Sequence, residues 1–172
     1  MNAPNEEQFV EESPIIPHIN HDFLLWLWWR SDTGQNLIEL DNQEIGFQVD
    51  SKVKFIEEEE SVTVHALSPE TSPEVIAALQ GNRRVQEYQV EFTKDELKYS
   101  FTLSANPFRI KSIKLPQETK NGEEALYERM YLYNILVDII DILFYEFATL
   151  RVGEFFEDTV LKYMEWVISN ES

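Results

Sequence analysis

Residues 83–116 read RRVQEYQVEFTKDELKYSFTLSANPFRIKSIKLP, and the alternation in this stretch decides the fold. Val85, Glu87, Gln89 and Glu91 oppose Gln86, Tyr88, Val90 and Phe92. A period of two belongs to a β-strand, whose side chains leave alternate faces. Further on, Leu97, Tyr99, Phe101 and Leu103 share one side. The segments TKDE and ANP carry turn chemistry, so strands are expected over 83–92, 96–105 and 108–116. Three strands joined this way form an antiparallel meander with one buried face.

Upstream lie shorter extended segments: NLIEL (36–40), IGFQV (45–49), KVKFIEE (52–58) and SVTVHAL (61–67). Asp50-Ser51 reads as a turn between the second and third, and Glu57–Glu60 as a solvated strand end or loop. SPEVIAALQGN, from Ser72, signals a short helix: Ser72 caps it, Pro73 opens it, Glu74 suits its positive end and Gly81 ends it. Earlier still, HDFLLWLWWRSDTG (21–34) reads as a helix capped by Asn20 or Asp22 and stopped by Gly34. Downstream of Gly122, a long run from about Glu123 to Arg151 is apolar almost all round. After Gly153, Phe155, Phe156, Val160, Leu161, Met164 and Val167 recur at helical spacing. The expected fold class is therefore α+β: a mainly antiparallel sheet packed against an N-terminal Trp-rich helix and two C-terminal helices. Residues 1–19 are read as an acidic flexible arm and 20–172 as one domain, a length that allows a real core.

Trp26, Trp28 and Trp29 sit within the seven-residue run FLLWLWW. A membrane foothold would need a longer apolar run or a basic face, and a base-stacking platform would need interleaved Lys and Arg. On a helix these residues point nearly all round. The run is thus read as a wedge buried on several sides, with a partner or dimer contact through Trp26, Trp28 and Trp29 as the second reading. The 21 residues MYLYNILVDIIDILFYEFATL (130–150) raise the membrane question again. Carboxylates at Asp138, Asp141 and Glu146 oppose insertion, each by roughly 2.5–3.5 kcal/mol at mid-bilayer. Asn134, Asp138, Asp141 and Tyr145 recur at i, i+4, i+7 and i+11, which makes one polar stripe on an otherwise apolar helix.

The formal net charge is −18, which repels nucleic-acid phosphates and anionic lipid alike if evenly spread. It is not evenly spread. Residues 1–82 hold 3 Lys/Arg against 16 Asp/Glu, and residues 121–172 hold 3 against 11. Residues 83–120 reverse the sign, with 8 against 5. Arg83, Arg84, Lys98, Arg109, Lys111 and Lys114 are the candidate phosphate-binding set, because neighbouring strands would bring them together. Glu87, Glu91, Asp95 and Glu96 interleave with them, and cross-strand ion pairs would consume part of that charge.

Other chemistry is thinly signalled. Glu96-Leu97-Lys98 matches half of a metal-dependent nuclease site, which needs a further carboxylate such as Asp50, Glu87 or Glu91. No Ser-His-Asp, Cys-His or glycine-rich phosphate-loop pattern occurs. No metal site and no cofactor is expected. The chain has no cysteine, which fits a reducing, cytoplasmic compartment, and its first residues lack the basic and apolar regions of a signal peptide.

Four segments in order, DFLLWLWWRSDTG, VIAALQGNRRVQEYQVEF, YSFTLSANPFRIKSIKLP and YERMYLYNILVDIIDILFYEFATLR with a closing MEW, resemble the C-terminal half of RdgC-like recombination-associated proteins. The likeness spans residues 21 to about 167. It implies a non-enzymatic protein that binds DNA as a ring-shaped dimer and restrains a recombinase. The family's N-terminal half is missing from this chain, and the resemblance assigns no catalytic or base-reading residue to the half that matches. The expected partners are thus DNA without sequence preference and a second copy, with no membrane. The alternatives are an acidic module that binds a basic protein, in one form by imitating DNA, and a metal-dependent nuclease.

Overall fold

The structure is a computed structural model that describes residues 18–57, 60–65, 77, 78 and 83–169. Residues 1–17 of the expected arm and most of the expected helix over 72–81 lie outside the described residues; His18 and Ile19, read as the end of the arm, instead begin the first helix, and Ala77 and Ala78 are helical. The elements run α1 (Ile19–Asp32), β1 (Leu37–Leu40), β2 (Gln43–Glu57), β3 (Glu60–His65), β4 (Arg84–Lys94), β5 (Leu97–Ser104), β6 (Arg109–Lys114), α2 (Glu123–Val152) and α3 (Phe156–Ser169). The strands form one antiparallel sheet in the order β1-β2-β4-β5-β6, with β3 paired to the second half of β2. This is the α+β architecture expected from the sequence, with the three helices on one face of the sheet.

Two strand expectations change. The segments 45–49 and 52–57 are one strand, β2, and Asp50-Ser51 is no turn. Instead the register against β4 slips between Val49 and Val53, so these residues sit in a bulge. Hairpin turns of this kind need positive φ at both central residues, and Asp41-Asn42 supply it (φ 55° and 61°), closing β1 onto β2. Asp95-Glu96 do the same between β4 and β5 (φ 52° and 65°), as TKDE suggested. The cap of α1 also differs. His18 occupies the N-cap with no side-chain bond, and Asp22 faces Arg151 at 3.4 Å.

The core is organised around α1. Phe23, Leu24, Trp26, Leu27, Trp28 and Trp29 are all buried. Toward the sheet, Trp28 packs on Phe55, and Tyr88 donates its hydroxyl to the Leu24 carbonyl at 2.6 Å. Toward α2, Phe23 meets Phe144 edge-on with ring centres 5.1 Å apart, and Trp26 meets Phe147. Toward α3, Trp28 meets Trp166 edge-on at 5.2 Å and Trp29 meets Tyr163 at 5.1 Å. Edge-to-face pairs add attraction beyond area burial because ring edges are positive and faces negative. Arg30 ends the helix by reaching out. It donates to the Gln35 and Leu37 carbonyls at 2.8 Å, pairs with Glu146 at 2.5 Å and lies over Trp26. No helix among the described residues is long and apolar enough to cross a membrane.

Trp28→Ala is expected to cost about 3–5 kcal/mol, because it opens a cavity between sheet and helices. Tyr88→Phe removes one buried hydrogen bond and costs about 1–2 kcal/mol. Urea unfolding followed by tryptophan-independent circular dichroism checks both, and the order of the two midpoints is the sharper test.

His21 gives the fold a pH signature. Its Nδ1 lies 2.9 Å from the Val85 carbonyl oxygen, so that nitrogen donates its proton there. Burial, the largest influence, holds its pKa below the ordinary 6.5. The unfolded chain therefore takes up a proton before the folded one does. The contribution is complete above pH 6.5 and is lost as the pH falls toward the folded value. Asp22 works in the opposite direction, since burial raises its pKa from 3.8 and its stabilisation is lost as pH rises through that range. Between about pH 6.5 and 5, above the ordinary carboxylate range, stability measured by urea titration should fall for the wild type. In His21→Gln that slope should disappear.

Candidate nucleic-acid interface

One face of the sheet carries the helices; among the described residues no helix covers the other, called the open face below. Because paired residues on adjacent strands point to the same side, the register sorts every side chain. Val53, Phe55, Tyr88, Val90, Phe92, Tyr99, Phe101 and Leu103 point inward and are buried. Lys54 pairs with Glu87, which pairs with Ser104, which pairs with Arg109, so these four form one row across the open face. Gln89, Thr102 and Lys111 form the next row, with Asp50 and Lys52 beside it at the bulge. Gln48, Glu91, Ser100 and Lys114 form a third. Arg84 opposes Ile56 at the end of β4.

The rows place cations at the sides and small or acidic residues in the middle. Lys52, Lys54 and Arg84 lie toward β2, and Arg109, Lys111 and Lys114 lie along β6. Three inter-strand steps separate the two lines, roughly 14 Å. Between them run Ser100, Thr102 and Ser104 of β5 and Glu87, Gln89 and Glu91 of β4. A groove of about 350 Å³ opens at the bulge, lined by Asp50, Lys52, Lys54, Thr63, Glu87 and Thr102 among others.

Of the six basic residues expected to bind phosphate, five lie on this face. Arg84, Arg109 and Lys114 are exposed there and make no ion pair among the described residues. Lys98 pairs with Glu91 at 2.8 Å, and Lys111 reaches over β5 to Glu87 at 2.5 Å. Arg83 precedes β4, is half-buried, and has an interaction of its own. The acidic interleaving therefore consumes two of the six and leaves three available. Lys94, in the same basic segment, turns inward at the end of β4 and pairs with Asp95 at 2.9 Å.

Lys52 and Lys54 were missed because they stand in the acidic half of the chain. Only the register, which lays β2 against β4, puts them beside Arg84. A sequence signal existed: Lys52 and Lys54 alternate with Val53 and Phe55, so both were bound to face away from the core.

The tryptophans are settled by burial. Trp26, Trp28 and Trp29 are 4%, 2% and 7% exposed, within this chain's own core. The second reading, a partner or dimer contact through them, is corrected: helices α2 and α3 and the sheet already occupy all their sides.

The nuclease alternative gains no grouping. Glu96 stands in the hairpin turn, and Lys98 is engaged by Glu91. Among the described residues no three His, Asp or Glu side chains converge as metal ligands do. No protein family, curated protein or solved structure matches the chain.

Exposed ion pairs contribute little, about 0–1 kcal/mol each. Glu87→Gln with Glu91→Gln should accordingly leave the unfolding midpoint within about 1 kcal/mol of wild type, while freeing Lys98 and Lys111. Chemical denaturation checks this, and a larger loss would mean the pairs hold the sheet together.

Proposed function

We propose that this chain is a non-enzymatic DNA-associated protein that grips phosphates with the open face of its sheet, as a recombination- or nucleoid-associated factor of the RdgC-like kind. The observation that carries the reading is the double line of cations on that face. Lys52, Lys54, Arg84, Arg109 and Lys114 are free of ion pairs among the described residues. The face is a poor base reader. Its middle offers the Thr102 hydroxyl, the Gln89 amide and two carboxylates, Ser100 and Ser104 being buried, and the sheet's core aromatic rings point inward. Binding of this kind is sequence-independent and falls with salt, because each neutralised phosphate releases a counterion.

Anisotropy with a labelled 30-base-pair duplex tests it. Binding is expected at 20 mM salt and should weaken as salt rises. Arg84→Glu with Arg109→Glu should lower affinity at least tenfold, and Glu87→Gln with Glu91→Gln should raise it. No binding by wild type at low salt and micromolar protein overturns the proposal, as does unchanged affinity in the double arginine variant.

A further inference from the structure

Helix α2 is longer than the core it covers. Its 30 residues rise about 45 Å, and its buried side chains begin only at Leu132. Before and just after that point stand Leu126, Tyr127, Met130, Tyr131 and Tyr133, between 44% and 68% exposed. Leu126 and Tyr133 continue, by steps of seven, the line of the buried Ile140 and Phe147, and Met130, Tyr127 and Tyr131 stand alongside, so the five make one apolar surface on the part of the helix that overhangs the core. This end of the helix is strapped down rather than loose. The Glu128 carboxylate accepts from the Thr119 and Lys120 amides at 2.9 Å, and Arg129 pairs with Glu118.

The stripe is bounded along the helix by carboxylates. Glu123 and Glu124 precede it, and Asp138 and Asp141, on the side of Tyr127 and Tyr131, follow it; all four are exposed. That pattern selects the occupant. A second copy would lay carboxylates on carboxylates whether the two helices ran parallel or antiparallel, and like charges in contact are the means by which interfaces reject partners. DNA and anionic lipid meet the same repulsion. A helix with an apolar stripe and Lys or Arg beyond each end of it satisfies both parts of the surface, by the helix-against-apolar-face mode of recognition.

We propose that the face of α2 from Leu126 to Tyr133, bounded by Glu123 and Glu124 at one end and Asp138 and Asp141 at the other, docks a basic amphipathic helix of a partner protein. This surface is separate from the open sheet face and does not depend on DNA binding.

The test uses the full chain and three labelled 18-residue peptides. One is Leu/Lys with leucines at helical spacing, one has the same composition scrambled to destroy that spacing, and one is the Leu/Glu counterpart. The amphipathic Leu/Lys peptide is expected to bind, and the other two at least tenfold more weakly. Leu126→Ser with Met130→Ser should weaken binding at least tenfold. Those positions are exposed, and the thermal melt should be unchanged. Asp138→Lys with Asp141→Lys, which leaves the apolar stripe intact, provides a second variant expected to weaken the same peptide. Equal binding of the scrambled peptide would falsify the proposal by reducing it to bulk charge. Equal binding by both variants places the contact elsewhere and also overturns it. So does a wild-type dimer, by light scattering, that Leu126→Ser with Met130→Ser dissolves, because the occupant is then a second copy.

Discussion

Everything in this structure depends on one helix being dry on all sides. Six of the fourteen residues of α1 are large apolar groups in the core, and they are spread around its circumference. Such a helix has no face to give to water. It is stable only if the sheet covers one side and α2 and α3 close over the rest. The aromatic pairs from Trp28 to Trp166 and from Phe23 to Phe144 are the points of closure. Besides the Tyr88 hydroxyl on the Leu24 carbonyl, the polar contacts that orient α1 include His21 on Val85, Asp32 accepting from the Trp166 indole at 2.6 Å, and Arg30 on β1 and α2. They fix the rotation of the helix without placing an unpaired charge inside.

That arrangement spends all three helices on one face of the sheet. Among the described residues no helix covers the opposite face, and alternation along each strand sends its charged residues there. Whether those residues merely solvate the sheet or grip an anion depends on register, since register decides which charges stand side by side. Here Lys54 and Arg109 occupy the two ends of a row whose centre holds Glu87 and Ser104. The first of two slips in the β2–β4 register, between Val49 and Val53, brings Asp50 and Lys52 into the groove at that row's edge.

Much of this was legible in the sequence. The alternation in 83–116 gave the meander, the all-round apolar character of FLLWLWW gave the buried wedge, and the i, i+4, i+7 polar stripe gave the wet edge of α2, where Asn134, Asp138, Asp141 and Tyr145 are indeed exposed. What was not legible was long-range. Asp50-Ser51 has turn-forming residues, and only pairing with β4 makes the segment a bulge. Lys98 and Lys111 look as free as Arg109 in the sequence. Their pairing with Glu91 and Glu87 follows from a cross-strand geometry that no local pattern contains. The exposed end of α2 was hidden for a different reason: Leu126, Met130 and Tyr133 look like core on a helix that is apolar nearly everywhere, and only its length relative to the sheet exposes them.

The charge distribution then explains how a chain of net charge −18 can hold a cationic face at all. At physiological salt a surface charge is felt over about 8 Å, less than the separation between the open sheet face and the solvent side of helices packed on the other. Distant carboxylates on α2 and α3 therefore do little at contact range to Arg84, Arg109 or Lys114. At low salt they reach further and oppose the approach of a polyanion. The long-range field and the local face thus pull in opposite directions as salt rises. A phosphate-binding face on this chain should accordingly show a shallower salt dependence than its number of cations alone implies.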